Sequence, residues 1–223
     1  GTVKADTGTG VLTLGDSDTG LTVAGDLLVG GTSTGAISLG DATLADGVTL
    51  TAGTGAANQI DLDAVAGTAS GAVSNLTINT TGVATVAEAV GTDFGTVTIT
   101  QSGGTTFSST LAAATLAITD TADSQAVSLT GNVTLTTGLT TANGGSDNYN
   151  VSLTGGTNSI AGATTFNQGG TLTLGDGADA TDFVGGLVAT APSSISAQGT
   201  VKADTGTGVL TLGDSDTGLT VAG

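Results

Sequence analysis

Three observations predict an all-β chain folded as a parallel β-helix, a β-solenoid in which each coil stacks on the one before. Short runs of alternating β-branched and polar residues recur about every 20 residues, with Gly- and Asp-rich turns between them. The apolar residues are small, with aromatics at only 2%, which suits a narrow interior better than a two-sheet core about 10 Å thick. The chain also repeats itself: residues 1–25, GTVKADTGTGVLTLGDSDTGLTVAG, return letter for letter as residues 199–223, so that position 199 restates position 1. Self-similarity at a fixed period is the mark of a repeat architecture.

Taken in order, the strand-like runs are VLTL (11–14), LTVA (21–24), AISL (36–39), VTLT (48–51), QIDL (59–62), LTIN (76–79) and TVTIT (96–100). LAIT (116–119), AVSL (126–129), NVTLTT (132–137), NVSL (150–153), TLTL (171–174), TVKA (200–203) and VLTL (209–212) follow. The turns between them include GDSDTG, GTGAAN, SGGTT, TANGGSDN and GDGADATD. In such turns Gly supplies positive φ, and Asn or Asp caps its own backbone. AVAGTASGAV and ATVAEAV come nearest to helices, and Gly and β-branched residues weaken both.

The strongest strands step at nearly even intervals from Leu76 through Thr96, Thr115, Asn132 and Asn150 to Thr171, each interval close to one solenoid coil. About ten coils per 198-residue repeat would make a rod segment of about 48 Å. A whole number of coils would let successive copies present the same face. Residues 1–198 are therefore expected to be one full repeat, and residues 199–223 the start of the next. The second copy should repeat the structure of the first, displaced along one axis. Ala191-Pro192 near the junction should lie at a corner, where a missing N–H breaks no ladder. The lack of Met fits an interior window of a longer tandem array.

Charge and composition exclude several classes. A net charge of −17, with Lys4 and Lys202 the only cations, opposes binding to nucleic acid or to anionic membrane surfaces. No run approaches the eighteen or so apolar residues that a membrane span needs. Without Cys there is no disulfide framework. Scarce tryptic sites and a composition poor in sulfur and nitrogen point to an extracellular or cell-surface location. A rival fold is a pair of immunoglobulin-like sandwiches, since 198 is twice 99. Against it, residues 1–99 and 100–198 show no evident similarity, and core aromatics are few.

The Thr/Gly/Ala/Asp-rich, Cys-free and Arg-free strands resemble the repeat regions of bacterial β-solenoid exoproteins. These are filamentous-haemagglutinin-like adhesins, autotransporter passengers and the solenoid parts of S-layer proteins. The resemblance covers the whole chain in texture and rests on no motif. It implies a right-handed parallel β-helix at a bacterial cell surface.

Chemistry is sparse. Without His, Cys or Arg the usual proton shuttles, nucleophile activators and cation clamps are missing, so the sequence reads as no enzyme. It calls for no cofactor, with calcium the one ion to consider. The candidate ligands are Asp16 and Asp18 of GDSDTG, repeated as Asp214 and Asp216, together with Asp176, Asp179 and Asp182 of GDGADATD. Neither set completes a known loop: Leu27 stands where an EF-hand counted from Asp16 needs Glu, and Leu174 where a β-roll motif needs Gly. Turn capping by these carboxylates is the simpler account. Sequons at Asn75, Asn79, Asn132 and Asn150 are expected by chance in so Ser/Thr-rich a chain. The Thr-rich strands are expected to turn Thr inward as ladders. These features together lead to a structural protein, an extracellular filament or surface stalk. Its partner would be itself, through end-to-end continuation and lateral filament contacts. The alternative is a cell-surface adhesin or S-layer component whose loops bind, with calcium, a partner the sequence does not name.

Overall fold

A strand of alternating aliphatic and hydroxyl residues buries one side and wets the other, and a coil of such strands can close around its own apolar sides. The computed structural model describes residues 1–16, 18–204 and 208–222. All its regular elements are β-strands, and they stack in parallel as a solenoid of about nine turns.

Each coil has three faces. The first face stacks Thr2–Lys4, Leu27–Gly30, Thr49–Ala52, Ser74–Asn79 and Phe94–Gln101, and ends with Thr164–Thr165, Leu187–Ala189 and Leu210–Leu212. The second runs from Leu12–Leu14 through Ile37–Leu39 and Ile60–Leu62 to Ser194–Gln198 and Gly218–Ala222. The third runs from Leu21–Val23 through Ala42–Leu44 and Val65–Gly67 to Ala180–Phe183 and Thr200–Lys202. Leu111–Ile118 and Val133–Thr141 pass from the third face into the first without a corner, shifting register between Ala113 and Thr115. That passage joins those faces into a 17-stranded sheet, beside the separate 10-stranded sheet of the second face.

Along the second face the register leads from Leu12 to Ile37, Ile60, Ala84, Thr105, Val127, Val151, Leu172, Ile195 and Leu219. These nine steps carry the chain from position 12 to position 219, a mean of 23 positions per coil. A 198-residue repeat therefore holds fewer than the ten coils expected. The sequence spacing fell short because it changed face in mid-count. Leu76, Thr96 and Thr115 share the first face, whereas Asn150 and Thr171 belong to the second.

Register turns the alternation into columns. Ile37, Ile60, Ala84, Thr105, Val127, Val151, Leu172 and Ile195 form one inward column, and Leu39, Leu62, Val86, Phe107, Leu129, Leu153, Leu174 and Ala197 form another. Phe94, Phe107, Phe166, Phe183 and Tyr149 are all buried, and the rings of Phe166 and Phe183 meet edge to face at 6.2 Å. Outward positions correct the expectation of inward Thr ladders. Ser38, Thr85, Thr106, Ser128, Ser152, Thr173 and Ser196 line up on the outside of the second face, interrupted by Asp61. Aliphatic side chains outcompete hydroxyls for the dry side. Variable coil length hid this alignment from equal spacing.

The corner between first and second faces buries polar groups, and several of them bond to backbone carbonyls of the neighbouring coil. Ser33 Oγ donates to Gly10 O (2.7 Å), Asn58 Nδ2 to Gly35 O (2.6 Å) and Thr80 Oγ1 to Asn58 O (2.5 Å). Pro192 is buried at this same corner, in the bend between Leu187–Ala189 and Ser194–Gln198, as its missing N–H led us to expect.

Candidate assembly interface

The two copies of the repeated segment form the two end coils of the solenoid. The same tripeptides become strands in each: Thr2–Lys4 and Thr200–Lys202, Leu12–Leu14 and Leu210–Leu212, Leu21–Val23 and the middle of Gly218–Ala222. The same turn also recurs. Asp16 Oδ1 accepts the N–H groups of Asp18 (3.0 Å) and Thr19 (2.6 Å), and Asp214 Oδ1 accepts those of Asp216 (2.9 Å) and Thr217 (3.1 Å). Gly15 and Gly213, at the start of these turns, take φ of 73° and 80°.

Their places in the coil differ. TVK lies on the first face in the first copy and on the third in the second. LTL moves from second to first, and LTV from third to second. Eight coils from Leu12 reach Ile195, and Leu210 lies two faces further on, so one repeat is eight and two-thirds coils. The copies are therefore related by an axial shift together with a step of one face, not by translation alone as the whole-coil expectation required. The turn GDSDTG serves two different corners, which is possible because the three faces are alike in strand length and side-chain size.

Charge marks the junction. Asp182 and Lys202 are in register on the third face, with Lys202 Nζ 3.8 Å from Asp182 and also bonded to Asp204. Lys4 pairs with Asp6 of its own coil at 2.5 Å. These hydrogen bonds to Asp6 and Asp204 are the main reason both ammonium pKa values lie above the ordinary 10.5. The bond to Lys4 likewise holds Asp6 below 3.8.

The calcium candidates scatter. Asp16 is occupied with its own turn, and Asp18 is exposed beside it. Asp179 accepts the Asp176 N–H at 2.7 Å across one corner, while Asp182 sits on a strand facing Lys202. Among the described residues no group of three or more acidic, His or Cys side chains could hold a metal ion. Sequence reasoning missed a different pair. Asp120 and Asp147, with Thr81, Gln101 and Ser102, line a cleft of about 80 Å³. Their distance along the chain becomes proximity only once coil length and loop excursion are known. Burial, and then Asp120, push the pKa of the adjacent Tyr149 far up, and its hydroxyl donates to Ala142 O at 2.6 Å.

Three of the sequon asparagines also acquire a role. Asn75, Asn132 and Asn150 each stand at a strand start and accept, through Oδ1, an N–H of the coil above: Thr96 (2.8 Å), Thr157 (3.0 Å) and Thr171 (2.7 Å). Asp26 does the same for Thr49 (2.8 Å). Each side chain extends the interstrand ladder past the end of its backbone. Compared with protein-family models, with curated proteins and with solved structures, the chain matches none.

Proposed function

We propose that this chain is a segment of a long extracellular β-solenoid filament or surface stalk built from 198-residue tandem repeats, of the bacterial exoprotein kind its strands resemble. The observation that supports this reading is the second copy. It continues the stack, adding Thr200–Lys202 to Ala180–Phe183, Leu210–Leu212 to Leu187–Ala189, and Gly218–Ala222 to Ser194–Gln198. Its role is mechanical rather than catalytic. Interstrand hydrogen bonds run along the rod axis, and stacked repeats gain stability from each neighbour. At eight and two-thirds coils a repeat extends the rod by about 42 Å. The net charge of −17 keeps neighbouring rods apart at low salt and lets them bundle when screened. Partners are further copies of itself, with no nucleic acid and no membrane insertion.

Electron microscopy of the gene product on producing cells tests the reading. Surface rods that lengthen by about 42 Å per encoded repeat are expected. An intracellular location, or globular beads on a string, would overturn it. The Asp120–Asp147 cleft favours a second reading, an adhesive or S-layer role with calcium on the loops. A chelator is expected to move the melting temperature by no more than a few degrees. A fall of tens of degrees would make calcium a structural component and favour this second reading.

A further inference from the structure

Of the asparagines in this chain only Asn143 is followed by glycine, in the loop TANGGSDN. Asn58, Asn75, Asn132, Asn150 and Asn158 use their side-chain amides to bond the stacked coils together. Asn143 stands outside that stack. It is exposed, and its Oδ1 accepts the N–H of Gly145 at 3.2 Å. Gly144 lies between them with φ of 64°, and it has no Cβ to crowd its own nitrogen. No backbone carbonyl among the described residues holds the Gly144 N–H. Such a nitrogen becomes a nucleophile once it gives up its proton. The hydrogen bond on Oδ1 polarises the amide carbon that this nitrogen would attack, and it stabilises the negative charge that then develops on Oδ1.

We propose that Asn143 is a self-modification site, at which the Gly144 nitrogen attacks the side-chain amide and turns the asparagine into aspartate and isoaspartate. In the first step a bond forms from Gly144 N to Cγ of Asn143. The bond from Cγ to Nδ2 breaks, and Nδ2 leaves as ammonia with the proton that Gly144 N gave up. The product is a five-membered succinimide. Water, the only co-reactant, then opens the ring. Cleavage between Cγ and Gly144 N gives aspartate, and cleavage of the original peptide bond gives isoaspartate. The change stays local, because ladder bonds flank the loop: Ala142 N–H to Ile118 O (2.8 Å) and Asn150 N–H to Gln125 O (2.7 Å). The new carboxylate arrives next to an acidic cleft. A Cβ on Gly144 would stand 2.9 Å from Asp147 O and 3.1 Å from Asp120 Oδ1, an oxygen that is buried without a hydrogen-bond partner. Under the filament reading, on which this consequence alone rests, a rod gains one negative charge per repeat as it ages. Repulsion between neighbouring rods then grows with time.

The full chain, held folded at neutral and at mildly alkaline pH, tests the chemistry. Peptide mapping with fragmentation that separates aspartate from isoaspartate, together with labelling by an isoaspartyl methyltransferase, is expected to find the change at position 143. Its rate should rise in proportion to hydroxide, because the attacking nitrogen must lose its proton. Tyr149, the only Tyr in a chain without Trp, donates to Ala142 O at the base of the loop. Its fluorescence should therefore drift at the same rate, while the melting temperature holds. Asn158 is the internal control. It precedes Ser159, another small residue, but it is buried, with Oδ1 bonded to Val133 N–H and Nδ2 to Gly155 O and Thr181 Oγ1. It should keep its amide in the folded chain and react only on unfolding. Asn143→Gln, which would have to close a larger ring, should lose the modification altogether. A folded chain that keeps the Asn143 amide, or that reacts there only once unfolded, would overturn the proposal. Equal reaction at Asn158 would overturn it too, since the structure would then select nothing. None of these results bears on whether rods form, which microscopy of producing cells decides separately.

Discussion

Residues 1–25 and 199–223 share every letter, yet they occupy different faces of the same rod. Val11 and Val209 are exposed alike, at 62% and 68%, because both precede the same strand outside the core. Val23 and Val221 diverge, at 3% and 74%, because one is covered by the next coil and the other is not. The strands and the Asp-capped turn travel with the sequence. The face each strand joins, and the burial it gains, are set by how much chain intervenes and by which neighbour lies across the ladder. In a solenoid, local sequence chooses strand or corner, and cumulative length chooses the phase.

The strongest way to break that comparison is to place a charge at the divergent pair. Val23→Asp puts an unpaired carboxylate at a site 3% exposed. It should loosen the first coil and lower amide protection over residues 1–25 about a hundredfold, about 2.7 kcal/mol. Val221→Asp should change protection by less than about 0.5 kcal/mol. Equal losses at the two sites, read by hydrogen exchange, would mean that both copies sit in equivalent surroundings.

Glycine provides the next test. A Cβ on Gly40 would stand 2.4 Å from the backbone N of Asp16 in the coil below. Gly40→Ala should therefore cost about 1–3 kcal/mol as a local overpacking. Gly25→Ala, with nothing within 4 Å, should be close to neutral. The loss should appear at the Asp16 corner and spare the equivalent Asp214 corner, which residue 40 does not cover. An unperturbed Asp16 corner would refute the close stacking of these turns.

The capped turn should behave alike in both copies, and this sharpens the comparison. Asp16→Ala and Asp214→Ala each remove two backbone hydrogen bonds of similar length. Each should cost about 1 kcal/mol of local stability. A measurable effect at one site only would show that the turn depends on its corner rather than on its own sequence.

Much of this architecture was legible in the letters, and the gaps have physical causes. All fourteen strand-like runs fall within or across observed strands. The runs passed over, such as Ala42–Leu44, Val65–Gly67, Ala84–Val86 and Thr157–Ile160, are short and rich in Ala, Gly and Asn. They are strands because a neighbouring coil supplies the ladder, not because their own propensity is high. Losing those strands thinned the second and third faces, and that made each coil look shorter than the register shows it to be. The phase of the second copy followed from the same error. At the candidate sites, Asp16 and Asp176 could be read as turn-formers from their Gly and Asp neighbours. Asp120 beside Asp147 could not, because nothing local encodes which residues one coil length sets side by side.

The smallest expected effect lies at the charged pairs, and it reports the junction most directly. Lys4 and Lys202 share their sequence context, and each bonds the carboxylate two residues on, which raises both ammonium pKa values above 10.5. Only Lys202 has a further carboxylate from the coil beneath, Asp182 at 3.8 Å. A raised pKa means that each pair contributes fully below the unfolded value, and that the contribution is lost as pH rises through the folded one. Asp6 is held below 3.8, so its share is present above that value and lost as pH falls through the folded one. Between those limits the Lys4–Asp6 pair is intact. Asp182→Asn should then lower the Lys202 midpoint in an NMR titration of the side-chain amine and leave Lys4 where it was. Salt should shrink the difference, since the groups are exposed. If Lys202 kept its midpoint, the charge contact across the junction would be absent. The register of Thr200–Lys202 on Ala180–Phe183 would then rest on backbone pairing and Val201 alone.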